Sequence, residues 1–157
     1  MTDSELTEKL KAGLSGLIVE ITNPAKRRVF MTVHVKDLEA VLAALRKDFS
    51  YTHLSTVSGV DMGDAYEILY HLGDAHGSLN VRTRIPKAAP HLPSICSVIP
   101  GAILYERELQ DMFGITVDGI PDPRPLIVPD DWPAGNFPLR KEWKFDRPQE
   151  VIPGGKK

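Results

Sequence analysis

Cysteine is nearly absent from this chain: Cys96 is its one thiol. A single thiol makes no internal disulfide and offers no Cys-x-x-Cys pair for zinc or an iron–sulfur cluster. A surplus of one charge is also missing. The net charge is −2 and no stripe of Lys and Arg stands out, so there is no electrostatic footprint for nucleic acid. Long apolar runs are lacking as well. The best stretch, "SICSVIPGAILY", is broken by Pro100 and Gly101 and falls short of a bilayer span. The first twenty residues, MTDSELTEKLKAGLSGLIVE, carry too much charge for a secretory signal. No Gly-x-Ser-x-Gly elbow, Gly-rich phosphate loop or dinucleotide fingerprint occurs. These absences predict a soluble, cytoplasmic protein with no cluster of its own and no self-sufficient active site.

What is present suits one globular domain: 157 residues, 42% of them hydrophobic. Thr2-x-x-Glu5 fits a capping box ahead of Leu6, Leu10 and Leu14, which predicts a short first helix. Residues 16–22 and 27–35 read as strands, with Asn23-Pro24-Ala25-Lys26 as the hairpin turn. The period then changes. Leu38, Val41, Leu42, Leu45 and Phe49 lie on one stripe of a helix over 37–49. Strands at 52–60, 65–72 and 78–85 follow, with turns short enough to make neighbours antiparallel. The expected fold is α+β: a mostly antiparallel sheet with helices packed on it, followed by an extended Pro-rich C-terminal tail. The expected boundaries are 1–117 for the domain and 118–157 for the tail. That tail holds eight of the thirteen prolines, but also Trp132, Trp143, Phe137 and Phe145. Disordered segments are poor in such aromatics, so the tail reads as ordered and able to lie along a partner's surface.

The chemical candidates concentrate in "ERELQDMFG", residues 106–114. On a helix over 101–113, Ala102, Tyr105, Leu109, Met112 and Phe113 form an apolar face. Glu106 and Glu108 border it on opposite sides, roughly 160° apart by helical geometry. They diverge, which makes a poor acid–base dyad. Arg107 and Asp111 share the reverse side at ion-pair spacing, and Gly114 suits the left-handed position that ends a helix. His71 and His76 with Asp74 lack both helical spacing and a third ligand, so they read as ordinary polar side chains rather than a metal site. His34, His53 and His91 read the same way. Cys96, set in "PSICSVIP", reads as an inert buried thiol.

Two longer stretches carry a resemblance. "YERELQDMFGI" (105–115) and "GIPDPRPLIVPDDWPAGNFPLRKEW" (119–143), supported by "HLSTVSGVDM" (53–62), resemble the C-type, 30-kDa-type peripheral-arm subunit of respiratory complex I. The same signature is shared by the energy-converting membrane-bound nickel–iron hydrogenases and formate hydrogenlyases. The resemblance implies a cofactor-free scaffold subunit, peripheral on the inner face of the cell membrane, that touches membrane only through its complex. Its implied partners are a large catalytic subunit, of nickel–iron hydrogenase or quinone-site type, and an iron–sulfur subunit. It implies partner contacts at Glu106, Arg107, Glu108 and Asp111 on the helix. In the tail it implies Arg124, Asp130, Asp131, Arg140 and Lys141 as polar anchors, with Trp132 and Phe137 as apolar ones. One departure carries information. Complex I members commonly show Gly-His-Pro-Asp-Leu-Arg-Arg where this chain has Gly119-Ile-Pro-Asp-Pro-Arg-Pro125. That difference favours the hydrogenase branch over the C-type subunit of an NADH- or other donor–quinone oxidoreductase. Two further readings stand beside it: a stand-alone enzyme using the carboxylates or histidines, and an adaptor for an unrelated partner.

Overall fold

The computed structural model of the protein describes residues 2–74 and 77–144. Helix α1 (Asp3–Gly13) starts at a complete capping box, in which Thr2 and Glu5 each bond the other's backbone N–H. Strands β1 (Ile18–Ala25) and β2 (Arg28–Val33) form an antiparallel hairpin. The turn between them lies two residues later than its sequence indicated. Pro24 sits inside β1 because that strand is a sheet edge, where a missing N–H costs no ladder bond. The turn instead passes through Arg27, whose φ of 62° is held by two bonds. Its N–H donates to Asp3 and its carbonyl accepts from Ser78.

After a single 3-10 turn comes α2 (Leu38–Asp48), then β3 (His53–Asp61), β4 (Ala65–Asp74) and β5 (Gly77–Pro86). The sheet order is β1-β2-β5-β4-β3. Every pair is antiparallel except β2 with β5. That pair is parallel because α2, β3 and β4 intervene and supply the long crossover such pairing needs. A second, two-stranded parallel sheet joins β6 (His91–Pro93) to β7 (Thr116–Asp118), flanking α3 (Ile103–Phe113). Three-residue strands leave no readable period, so neither was visible in the sequence.

Strand alternation separates the two faces of the large sheet. Val29, Met31, Val33, Ile68, Tyr70, Leu72, Leu79, Val81 and Ile85 are buried on one side. Leu6, Leu10 and Leu14, the α2 leucines, and Leu109 and Phe113 of α3 belong to the same core. Gly59 lets α3 approach β3, since a side chain there would strike Leu109 and Phe113. Past Val117 the chain adds no fully buried apolar residue to that core among the described residues. No helix among the described residues is long and apolar enough to cross a membrane. Leu10 is fully buried, so Leu10→Ala leaves a cavity and should cost about 2–5 kcal/mol of stability, read as a lowered urea midpoint.

Candidate interaction site

The outer side and the C-terminal end of α3 bring several of the singled-out residues together, and the partners they meet there belong to the chain itself. Arg107 does not pair with Asp111. Its Nε donates to the carbonyl of Arg124 at 2.6 Å and its Nη2 to that of Pro125 at 2.8 Å. Asp111 Oδ2 accepts the backbone N–H groups of Leu126 and Ile127, each at 2.7 Å, and of Val128 at 3.4 Å. The two side chains therefore strap residues 124–128 across the helix. Arg124 turns its own guanidinium onto Asp122, two residues away. That contact comes first among the causes that hold the Asp122 carboxyl well below the usual carboxylate range.

The C-terminal end of α3 is closed by a later part of the tail. Gly114 has φ 67° and returns its N–H to Gln110. Helix termini leave carbonyls without intrahelical partners. Here Leu139 N–H donates to the Met112 carbonyl, and Arg140 Nε donates to that of Phe113 at 2.7 Å. Arg140 also stacks over the Phe137 ring, 4.2 Å from its centroid. A Cβ at position 114 would strike both Phe137 and Arg140. Glycine is thus required twice at that position, for its conformation and for its lack of bulk. Trp132 bonds the Asn136 carbonyl through Nε1 and lies 6.3 Å from the Trp143 ring.

A buried carboxylate fastens the last described turn. Asp61, at the end of β3, accepts from Lys87 Nζ at 2.7 Å, Lys141 N–H at 2.9 Å and Gly63 N–H at 2.8 Å. Lys87 reaches on to Glu142 at 2.6 Å. Burial pushes the Asp61 carboxyl up, but these bonds and the Lys87 charge outweigh it and hold it at about 2. Lys141 thus acts here through its backbone. Asp61, Lys87 and Glu142 were not evident in the sequence, because they come from a strand end, a turn and the tail.

Glu106 is a correction. Helical geometry put it at the border of the apolar face and the resemblance implied a partner contact there, yet it is fully buried inside its own fold. Its carboxylate accepts from Ser94 Oγ at 2.7 Å, Ile95 N–H at 2.6 Å and Cys96 Sγ at 3.2 Å. The loop after β6 brings those donors over the helix, offsetting the cost of burying a charge. Cys96 is buried as expected, and its thiol is pushed up first by burial and further by Glu106. Glu108, Asp130 and Asp131 are exposed, with no polar partner among the described residues. His71 lies between Ser58 and Asn80, and His91 beside Asp118. His76, Phe145 and the rest of the tail beyond residue 144 lie outside the described residues. Among those described, no cluster of three His, Cys, Asp or Glu is placed to hold a metal ion.

The sequence model of the family described as respiratory-chain NADH dehydrogenase, 30 Kd subunit, matches residues 31–149. The chain belongs to this family. It is 33% identical to the C-type subunit of F(420)H(2) dehydrogenase from Methanosarcina mazei, over 88% of this chain and 87% of that one. It is 31% identical to formate hydrogenlyase subunit 5 of Escherichia coli over 90% of its own length. That match takes up only 26% of the relative, so most of the relative's sequence lies beyond it. Among solved structures, a chain of the archaeal membrane-bound sulfane sulfur reductase, a respiratory membrane complex, superposes with a TM-score of 0.80. The superposition covers 90% of this chain and 85% of the other at 22% identity, a likeness of fold. The α+β architecture anticipated from the strand order is thus that of the 30 kDa family.

The two glutamates that flank Arg107 should behave oppositely. Glu106→Ala leaves the Ile95 N–H unpaired in the interior and should cost about 1–3 kcal/mol. Glu108→Ala should stay within about 0.5 kcal/mol, both read by denaturant melts. Asp61 yields a pH prediction. Its folded pKa of about 2 lies below the ordinary 3.8, so its stabilisation is complete above about pH 4 and is lost as pH falls towards 2. Tryptophan fluorescence should report the release of the segment carrying Trp143 in that window. Asp61→Asn should remove the part of the transition that this carboxyl contributes.

Proposed function

We propose that this chain is a cofactor-free scaffold subunit of a membrane-associated redox complex. It docks through α3 and the tail strapped to it on a large catalytic subunit. The observation that carries this reading is what the straps leave outside. Of seven large apolar residues exposed among the described residues, Leu104, Leu126, Ile127 and Leu139 lie on α3 or the tail. Leu104 lies one turn from Arg107, whose bonds hold the segment that carries Leu126 and Ile127. Apolar groups grouped on a braced surface and rimmed by free charges such as Glu108, Asp130 and Asp131 are the usual anatomy of a protein interface. A tail already ordered loses little entropy when a partner covers it.

Membership of the family supports the assembly role. The formate hydrogenlyase relative, in which a domain like this shares one chain with a much longer sequence, supports a large subunit as the immediate neighbour. An iron–sulfur subunit of the same complex is the second neighbour we propose, with the whole peripheral on the cytoplasmic face of the cell membrane. The Gly119–Pro125 segment supports an energy-converting hydrogenase or formate hydrogenlyase type. The second reading, the C-type subunit of an NADH- or other donor–quinone oxidoreductase, is favoured by the description of the matching family as a respiratory-chain NADH dehydrogenase subunit. We also propose that residues 1–117 form the folding unit and that the tail from 118 is the docking element, since the core ends at Val117.

The test is co-purification of the tagged chain from its own solubilised membranes. The chain should arrive with a large subunit and membrane components. Leu126→Asp combined with Ile127→Asp should reduce that association at least tenfold while leaving the melting temperature unchanged. Two Cys-x-x-Cys pairs in the accompanying large subunit identify the hydrogenase type. A chain that leaves the membrane alone, or that turns over substrate or binds stoichiometric metal by itself, defeats the scaffold reading.

A further inference from the structure

The face of the five-stranded sheet opposite the core is built differently from the α3 and tail surface. Side chains there form rows across the strands. In one row Glu20 of β1, Thr32 of β2 and Arg82 of β5 are joined by hydrogen bonds, Arg82 to Thr32 at 2.9 Å and to Glu20 at 3.2 Å. In the next, Arg84 Nε meets Glu67 of β4 at 2.7 Å, and Arg82 also lies within 3.9 Å of that carboxylate. At the β1 end of these rows a groove of about 600 Å³ opens between the strands and the turn after β2. Its described lining includes three cations, Lys36, Arg82 and Arg84, with His34, against a single carboxylate, Glu20. With Glu67 beneath the arginines counted as well, the groove keeps a positive balance in a chain that carries −2 overall.

Arg82 is engaged by Thr32, Glu20 and Glu67, but Arg84 and Lys36 are held ready rather than used up. Arg84 spends only its Nε on Glu67, and its side chain remains 58% exposed. Its two terminal nitrogens, and the Lys36 ammonium, have no partner among the described residues. Glu67, only 12% exposed, fixes the direction of the Arg84 guanidinium from below. A guanidinium braced at one nitrogen and open at the others presents a fork matched to a carboxylate. Val19, more than half exposed at the rim, adds an apolar contact beside it.

We infer that this groove is a second protein interface, and that its occupant is an extended acidic segment of a neighbouring subunit. It would lie across β1, β2 and β5 with carboxylates on Arg84 and Lys36. The inference rests on the scaffold reading above and adds a second contact surface on the far side of the sheet. Concavity favours a peptide over a lipid surface. The arginines lie on a pleated floor with a raised turn beside it, where a protruding chain reaches and a planar array of headgroups does not. Electrostatic complementarity of this kind sets orientation and partner choice, with strong dependence on salt.

The experiment uses the complex as purified from its own membranes. A carbodiimide joins a lysine amine to a carboxylate only where the two are in contact, and mass spectrometry maps the products. Lys36 should be joined to an Asp or Glu of a neighbouring subunit, and that product should vanish in Lys36→Gln. Arg84→Glu combined with Lys36→Glu should weaken retention of the neighbour about tenfold at low salt, with a smaller difference at high salt. If that double variant does not fold, Arg84→Gln with the cross-linking readout decides the matter. A complex that assembles while Lys36 stays open to amine reagents and joins only to its own chain overturns this inference and leaves the scaffold reading intact. Binding of the isolated chain to phosphatidylserine vesicles that the double variant abolishes overturns it in favour of a membrane contact. A chain that purifies alone overturns both.

Discussion

Helix α3 ends with carbonyls that have no partner of their own, and the rest of the surface follows from how they are satisfied. Leu139 and Arg140 of the tail bond the carbonyls of Met112 and Phe113. Gly114 makes room for them by having no side chain. Once that end is capped, residues 137–141 have a defined course and bring the Lys141 N–H to Asp61. Arg107 and Asp111 fix an earlier stretch on the same helix. A segment without secondary structure of its own is thereby ordered by a helix that needs its donors.

The carboxylates divide the work by depth. Glu106 is fully buried and holds the loop after β6 to the helix. Asp61 is nearly buried and joins strand, turn and tail through one cation and two backbone N–H groups. Asp111 is nearer the surface and gathers three successive tail amides. Glu108, Asp130 and Asp131 remain free of polar partners among the described residues. Charges committed inward are costly to remove because their donors are then left unpaired. Charges left outward cost nothing to the isolated chain and are available to a partner.

Periodicity carried the elements that are long enough to show one. The α1 leucines and the α2 stripe both place the core where it lies, since each repeat reports a single buried face. The capping box at Thr2 and the left-handed Gly114 are local devices, and both were legible. Short strands β6 and β7 were not, nor was the shift of the first turn to Arg27, which depends on Asp3 and Ser78 from elsewhere in the chain. At the candidate site the residue identities were legible but not their roles. Arg107 and Asp111 share a side at ion-pair spacing, yet both turn to the tail backbone, and Arg107 also faces the Asp122 carboxylate.

Sequence by itself determined the class of fold, the apolar faces, the end of α3 and the signature that places the chain in its family. All of these are local, a repeat or a motif within one stretch of chain. Tertiary structure alone decided that Glu106 faces inward, that Asp61 clasps the tail, and that Arg82 and Arg84 share a groove with Lys36. Each of those depends on donors and acceptors distant in sequence. The energy of a polar group is set by the partners it meets after folding, and one-dimensional order does not record them.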